Sequence, residues 1–204
     1  MNYTHSEADG QLVFTEIRND FLSIPSRLTG FNNTDTTTKT SFSGREVFCF
    51  NGTLDIQETD RLCPKCGGRM HINLHRGMEL RHLCIGSTLS RVCFDHKQLL
   101  CKCGHSQMQA VPFKAEGHLM TRELYQYARD LLALGTYTLK QVSEITGLGK
   151  NTVKDIDLVR LKERYTIDGR KLIKPEKPAR VLAIDEFKLH DGYRYASHII
   201  DLDT

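Results

Sequence analysis

Two short cysteine turns, separated by a long gap, restrict the fold of this chain more than any other feature. The first is CPKCGG, beginning at Cys63, and the second is CKCGH, beginning at Cys101. A glycine after the last cysteine lets backbone amides point at the thiolates, and two such turns on paired hairpins bring four sulfurs into a tetrahedron. The pattern predicts a zinc ribbon over residues 61–105, with a structural Zn²⁺ held by Cys63, Cys66, Cys101 and Cys103.

A metal site explains these cysteines better than disulfide bonds or redox chemistry does. The N-terminus is polar and acidic, and no run approaches the roughly 20 apolar residues of a membrane span, so we expect a soluble cytoplasmic protein. Disulfides are disfavoured in that reducing compartment. A redox dithiol at Cys63 and Cys66 is the alternative, but it requires a thioredoxin-like βαβ context that the sequence lacks.

The second turn departs from the usual spacing, because one residue instead of two separates Cys101 from Cys103. His105 is therefore an alternative ligand that could replace one of them. Cys84 and Cys93 lie in an apolar alternation without a cysteine turn of their own. We expect both in the core.

Basic residues are concentrated between the cysteine turns, although the net charge of the whole chain is only +3. Residues 61–103 contain eight Lys and Arg against two acidic residues. An excess of one charge repels itself unless an anion neutralises it, so this stretch suggests a partner that carries phosphates. Its apolar alternations predict short strands with one basic face, which would include Arg69, Arg76, Arg81 and Arg91.

Residues 1–60 are predicted to form a β-rich N-terminal segment. Short apolar alternations indicate a few strands, and the polar run 32–41 predicts a mobile loop between them. No residues in this segment have catalytic spacing. Cys49 stands between two phenylalanines, which favours a buried thiol over a metal ligand.

A supporting helix is predicted from Thr121 to Leu134, with Thr121 as its N-cap. Its apolar residues recur at helical spacing and would form the inner face. They are Leu124, Ala128, Leu131 and Leu132. This helix would pack on the two helices that follow and complete a helical unit over residues 119–165.

Residues 139–165 have the spacing of a helix-turn-helix, with Thr138 as the first N-cap. Val142 and Ile145 would face inward on the first helix, and Gly147 would end it. A small residue stands four positions before this glycine and an apolar one six positions after it, as close helix packing requires. Helix-turn-helix units of this kind read DNA.

The second helix of this motif is predicted to start at Lys150, with Asn151 as a cap. Its N-terminal end would reach base edges and phosphates. The predicted DNA contacts are Lys150, Asn151, Thr152 and Lys154. An ordinary helical hairpin is the alternative, and it is favoured by Asp155 and Asp157 directly behind the contact end.

The last segment is predicted to be a linker over residues 166–179, rich in glycine, proline and basic residues, followed by a β-hairpin. A buried apolar strand would run through residues 180–185 and end in Asp185. A turn at residues 190–192 would lead into a second strand over residues 193–202.

The order of these motifs resembles the N-terminal half of the ISL-three family of bacterial insertion-sequence transposases. The resemblance covers about residues 60–204, and its most specific segment is VLAIDEFKLHDGYRYASHIIDLDT. This segment looks like the opening hairpin of that family's RNase H-like catalytic domain. The resemblance implies an α+β, multi-unit protein: a β-rich N-terminal part with a zinc ribbon, a helix-turn-helix unit, and at residues 180–204 the first hairpin of a truncated RNase H-like α/β domain.

The resemblance also implies a function and a partner. Asp185 matches the first acidic residue of the DDE triad that holds divalent metal for strand cleavage and transfer, and double-stranded DNA at transposon ends would be the partner. A homodimer is a candidate assembly. The second and third carboxylates would lie beyond Thr204, and Glu186 faces the other side of its strand. Phosphoryl transfer by two metal ions needs several converging carboxylates, so Mg²⁺ belongs to a complete catalytic domain.

We therefore expect these 204 residues to bind DNA without cutting it. These motifs leave open whether the chain by itself is an enzyme. A non-catalytic zinc-ribbon and helix-turn-helix regulator, or a transposase remnant, is the main alternative. A stand-alone metal-dependent nuclease is a further one.

Overall fold

The computed structural model describes residues 7–8, 11–12, 28–41, 44–174, 177, 180–190 and 194–202. These residues form a mixed α+β structure with a β-rich sheet and three α-helices. The chain forms two compact units, Met1–Leu158 and Val159–Thr204. Among the described residues, no helix is long and apolar enough to cross a membrane.

A five-stranded sheet dominates the first unit. Its strands lie in the order β3 (Phe31–Thr40), β4 (Glu46–Leu54), β6 (Thr88–Leu100) and β5 (His71–Ile85), and β7 (Ser106–Met108) pairs with the end of β6. The pairing of β4 with β6 is parallel and the others are antiparallel. The sheet is preceded in the chain by a hairpin of β1 (Glu7–Ala8) and β2 (Gln11–Leu12).

The loop predicted for residues 32–41 is wrong, because this run forms most of strand β3. The strand pairs with β4 from Phe31 opposite Leu54 to Thr40 opposite Glu46. It lies at the edge of the sheet, and nearly all its side chains are exposed. Threonine is β-branched and favours strands even where both faces meet water. The sheet thereby joins residues from both sides of the boundary predicted at residue 60.

One face of the sheet is covered by an aromatic core. The rings of Phe31, Phe94 and Phe113 meet edge to face, with centroids 5.9–6.1 Å apart. On the other face, Cys49 is fully buried, as predicted. Cys93 is only partly buried there, so its expected place in the core is partly correct.

The predicted supporting helix is α1 (Arg122–Ala133). Its N-cap is Thr121, whose hydroxyl accepts a hydrogen bond from the backbone N–H of Leu124, as the sequence predicts. The four side chains expected on its inner face are all buried. They pack with residues of the next two helices, α2 (Leu139–Thr146) and α3 (Lys150–Tyr165), in one cluster.

Helix α2 begins as predicted but turns a different side inward. Thr138 and Gln141 form a reciprocal capping box at its start. Val142 is fully buried, but Ile145 is 38% exposed, so its assignment to the inner face is wrong. Thr146 is buried instead, because its hydroxyl donates to the carbonyl of Val142 at 2.6 Å and satisfies its own polarity.

Helix α3 starts at Lys150, as predicted, but Asn151 is not its cap. The backbone N–H of Val153 already donates to the carbonyl of Gly149 at 3.0 Å, which places Asn151 inside the first turn. Val153 and Ile156 are fully buried on the inner side of the helix. The end that carries the predicted DNA contacts is therefore fixed by these two apolar anchors.

The helical unit packs against the turn end of the β5–β6 hairpin. Gly147, left-handed at φ 68°, lies so close to the sheet that a methyl group on it would be 2.4 Å from Cδ2 of Leu89. The thiol of Cys84, which is half-buried, donates to the carbonyl of Ile145 at 3.5 Å. His82 Nδ1 lies 2.9 Å from the hydroxyl of the α1 cap.

The described part of the second unit holds two hairpins. Within the predicted linker, β8 (Thr166–Ile167) pairs with β9 (Lys171–Leu172). The predicted C-terminal hairpin is present as β10 (Leu182–His190) and β11 (Arg194–Asp201). Its first strand is not buried as expected, since Leu182 is 56% and Ile184 is 68% exposed.

Candidate metal centre and nucleic-acid interface

The structure brings together the four cysteines predicted as zinc ligands. Their sulfurs all lie within 4.8 Å of one another. Across the two turns, Cys63 Sγ is 3.6 Å from Cys103 Sγ, and Cys66 Sγ is 3.5 Å from Cys101 Sγ. A disulfide would require about 2.0 Å. Four sulfurs bound to zinc at about 2.3 Å lie about 3.8 Å apart in a tetrahedron, so the group suits a tetrahedral metal ion.

Backbone hydrogen bonds close the first cysteine turn. The N–H of Cys63 donates to the carbonyl of Gly68 at 2.9 Å, and its carbonyl accepts from Gly67 N–H at 2.8 Å. A methyl group at Gly68 would lie 3.3 Å from Cys66 Sγ and 3.6 Å from Cys101 Sγ. Gly68 therefore leaves room for the sulfurs, a role that the sequence pattern suggests only in general terms.

The shorter second turn is closed in the same way with one residue fewer. The N–H of Cys101 donates to the carbonyl of His105 at 2.8 Å, and its carbonyl accepts from Gly104 N–H at 2.9 Å. Gly104 makes this possible with φ at 85°. His105 thus acts through its backbone, and its ring is not part of the group of four sulfurs. The spacing between Cys101 and Cys103 does not prevent convergence.

The thiols do not ionise independently. Burial opposes ionisation of Cys63, but hydrogen bonds from the backbone amides of Lys65 and Cys66 and from neighbouring thiols lower its pKa to about 6. The backbone amide of Gly68 favours the Cys66 thiolate, yet the other three sulfurs and burial raise the pKa of Cys66 to about 12. One thiolate forms readily, whereas several negative sulfurs together need a cation, as a divalent metal supplies.

A small core supports the cysteine cluster. Cys63 and Cys101 are buried with Met70 and Leu99. Beside them, the buried carboxylate of Asp60 accepts a hydrogen bond from the backbone N–H of Ala110 at 2.9 Å and so ties the segment before the first turn to the chain after β7. Asp60 carries no motif in the sequence, and the bond depends on the tertiary fold.

The predicted DNA contacts lie together within the first five residues of α3. Lys150, Asn151 and Lys154 are exposed, and Thr152 is half-buried. The apolar anchors of the helix point the other way, so this end of α3 presents two positive charges and two hydrogen-bonding side chains. Asp155, next to Lys154, is also exposed.

Asp185 lies in β10 opposite His198 of β11, and its side chain is exposed. The neighbouring Glu186 accepts a hydrogen bond from Ser197 Oγ at 3.5 Å. In the described part of the chain, the four cysteines form the one group of three or more His, Cys, Asp or Glu residues close enough to share a metal ion. The described residues thus do not gather a group of three carboxylates around Asp185.

The chain has sequence similarity to a protein of known function. The chain is 29% identical over 142 residues to the transposase for insertion sequence element IS1001 of Bordetella parapertussis. The chain is similar to a transposase. The aligned region covers 69% of this chain and 33% of that relative, so the chain spans about a third of the relative's length. No protein-family model and no solved structure matches the chain.

This similarity supports the transposase part of the sequence prediction. It does not distinguish the ISL-three family from other transposases. The finer predictions, of zinc, DNA contacts and a catalytic aspartate, depend on the residues themselves.

Proposed function

We propose that this chain is the DNA-binding part of an insertion-sequence transposase of the ISL-three type, with the start of an RNase H-like catalytic domain. The observation that carries the proposal is the similarity to the IS1001 transposase over 142 residues. The convergence of four cysteine sulfurs supports a metal site, and the exposed polar end of α3 supports DNA binding.

The cysteine cluster would hold one structural Zn²⁺. Its four sulfurs have the mutual distances of a tetrahedral site, and backbone amides already stabilise a thiolate at Cys63. Zinc neutralises the remaining thiolates and crosslinks residues 63–68 to residues 101–105. The ion contributes folding free energy in a region whose own apolar core is small.

Helices α2 and α3 would act as a helix-turn-helix that binds duplex DNA at transposon ends. Lys150 and Lys154 would contact phosphates, which adds affinity without sequence preference. Asn151 and Thr152 would reach base edges in the major groove, where amide and hydroxyl groups distinguish base pairs. Buried Val153 and Ile156 hold this end of the helix in place.

Asp185 would be the first carboxylate of a DDE catalytic site. With two further carboxylates from a complete catalytic domain it would hold Mg²⁺, which stabilises the attacking and leaving oxygens of phosphoryl transfer. The exposure of Asp185 and of the apolar side chains around it in β10 is consistent with a strand that the rest of such a domain covers.

Duplex binding by the zinc-loaded chain tests the proposal. Fluorescence anisotropy with labelled transposon-end DNA would be followed over a salt series for wild type and for Lys150→Ala and Lys154→Ala. Each substitution should weaken binding to all sequences and reduce the salt slope by about one. Asn151→Ala should instead reduce the preference for transposon ends over random DNA.

Lys162→Ala is the matched control, because it removes the same charge from the other end of the same helix, where the side chain is also exposed. It should leave affinity and slope close to wild type. If the variants at positions 150, 151 and 154 all bind every duplex like wild type, α3 does not read DNA and the helix-turn-helix proposal fails.

A further inference from the structure

A cleft beside the first turn of α3 is lined by charged side chains of the sheet. It has a volume of about 420 Å³. One wall is formed by β5 and β6, and the other by the loop that leads into α1 and by α3 itself. Its lining residues include Glu79, Arg81, Arg91, Leu119 and Thr152.

Two arginines stand directly opposite each other in this wall. Arg81 of β5 pairs with Arg91 of β6 in the antiparallel ladder, so their side chains lie on the same face of the sheet. Like charges in directly opposite positions repel each other and destabilise a sheet. An anion that neutralises both guanidinium groups would remove this cost.

Beside this arginine pair, one carboxylate, that of Glu79, forms ion pairs with two cations. Glu79 forms an ion pair with Arg91 and a second one with Lys39, whose Nζ lies 3.4 Å from Glu79 Oε1. Arg91 is the main reason that the pKa of Glu79 lies below its ordinary value. Among the described residues, no acidic side chain forms an ion pair with Arg81. The face keeps an excess of positive charge at Arg81.

The backbone of Arg81 is held in place while its side chain is exposed. Its N–H donates to the carbonyl of Leu119 at 3.1 Å, and its carbonyl accepts from the N–H of Thr121 at 2.9 Å. The guanidinium therefore extends from a fixed point into the cleft. Thr152, itself one of the predicted DNA contacts, lines the same cleft.

We propose that this cleft binds a backbone phosphate of duplex DNA through Arg81 and Arg91, next to the bases that α3 reads. The inference rests on the proposed DNA binding and extends it to the sheet. Guanidinium groups match phosphate oxygens with paired hydrogen bonds. A phosphate here fixes the register of α3 on the duplex without reading sequence itself.

The test is a salt series of duplex binding by the full zinc-loaded chain, with a short mixed-sequence duplex as the probe. Arg81→Gln should reduce the slope of log K against log salt by about one and weaken binding about eightfold near 0.1 M salt. Arg76→Gln is the matched control, because Arg76 is exposed on the same strand but lies on the opposite face, paired with His96. It should retain the wild-type slope.

A second variant, Glu79→Gln, should raise the affinity for duplex DNA, whereas unfolding would lower it. Glu79→Gln removes the carboxylate that occupies Arg91 and Lys39, so duplex binding should become tighter and its salt slope steeper. This variant decides the matter if Arg81→Gln does not fold. Unchanged or weaker binding by Glu79→Gln, or equal slopes for the two arginine variants, overturns the inference.

The outcome separates this inference from the proposed function. If Lys150→Ala weakens binding while Arg81→Gln does not, α3 reads DNA and the cleft has no part in it. If the wild-type chain binds no duplex at all, both proposals fail together.

Discussion

The turn between α2 and α3 should respond to a single methyl group. Gly147 has a left-handed backbone, and a methyl group there would lie 2.4 Å from Cδ2 of Leu89 in β6. Gly135, which follows α1, has φ at 70° as well, but no atom lies within 4 Å of a methyl group added there. Gly147→Ala and Gly135→Ala therefore share the backbone cost, and only the first adds a collision with the sheet.

The cost of the left-handed backbone and the cost of the collision with Leu89 can be separated by their magnitudes. A left-handed conformation costs an L-residue about 1–2 kcal/mol, which is the expected loss for Gly135→Ala. Overpacking adds about 1–3 kcal/mol, so Gly147→Ala should lose about 2–5 kcal/mol. Because Leu89 Cδ2 is the end of a flexible side chain that can rotate away, the lower half of that range is expected.

Equilibrium unfolding in urea, with excess zinc, measures the loss in the free energy of unfolding for both variants. Leu89→Ala in the Gly147→Ala background removes the collision, so the double-mutant cycle should show a favourable coupling of about 1 kcal/mol or more. Equal losses for the two glycine variants, or zero coupling with Leu89, would refute the packing of this turn on the sheet. DNA affinity should fall with Gly147→Ala more than with Gly135→Ala, since only the former displaces α3.

Three further outcomes are expected. Replacing Cys63 and Cys66 by serine should remove one equivalent of zinc per chain and lower the thermal midpoint; unchanged metal content would contradict the ligand set. Burial lowers the pKa of His82 from 6.5, so the unfolded chain binds a proton that the folded chain does not, and stability should fall as the pH drops from about 6.5 toward the lowered pKa. His82→Gln should flatten that slope in urea midpoints, whereas His71→Gln, at an exposed position, should keep it. Thr138→Ala should cost about 1 kcal/mol in the same assay, and no loss would show that the capping box is dispensable.

Features that depend on neighbouring residues could be predicted from the sequence. The caps at Thr121 and Thr138 and the inner face of α1 follow from local spacing, and the structure has them. The cysteine turns could be predicted for the same reason, since each is closed by hydrogen bonds within six residues. Even the short second turn needs only a glycine at the right place, Gly104.

Features that depend on distant partners could not be predicted. Strand β3 lacks apolar alternation, because it is an edge strand with both faces largely in water, and only its pairing with β4 reveals it. The inner face of α2 is shifted from Ile145 to Thr146, because a buried threonine can satisfy its hydroxyl within the helix. The pairing of Arg81 with Arg91 depends on the strand register. Irregularities at two places in β5 shift this register and so change which residues lie opposite each other.

The β5–β6 hairpin explains how one chain holds the cysteine cluster and the helices in fixed relation. Its strands have 15 and 13 residues, a length on the order of 45 Å. The cysteine turns lie at the open end, where His71 pairs with Leu100 and Cys101 follows directly. The helices pack on the turn end, through contacts of Leu89 with Gly147. A metal ion bound at the open end would therefore fix the start of the β5–β6 ladder, which continues through the arginine pair to the end that carries the helices. Its loss should loosen the hairpin first at the cysteine end and last at the proposed DNA-reading helix.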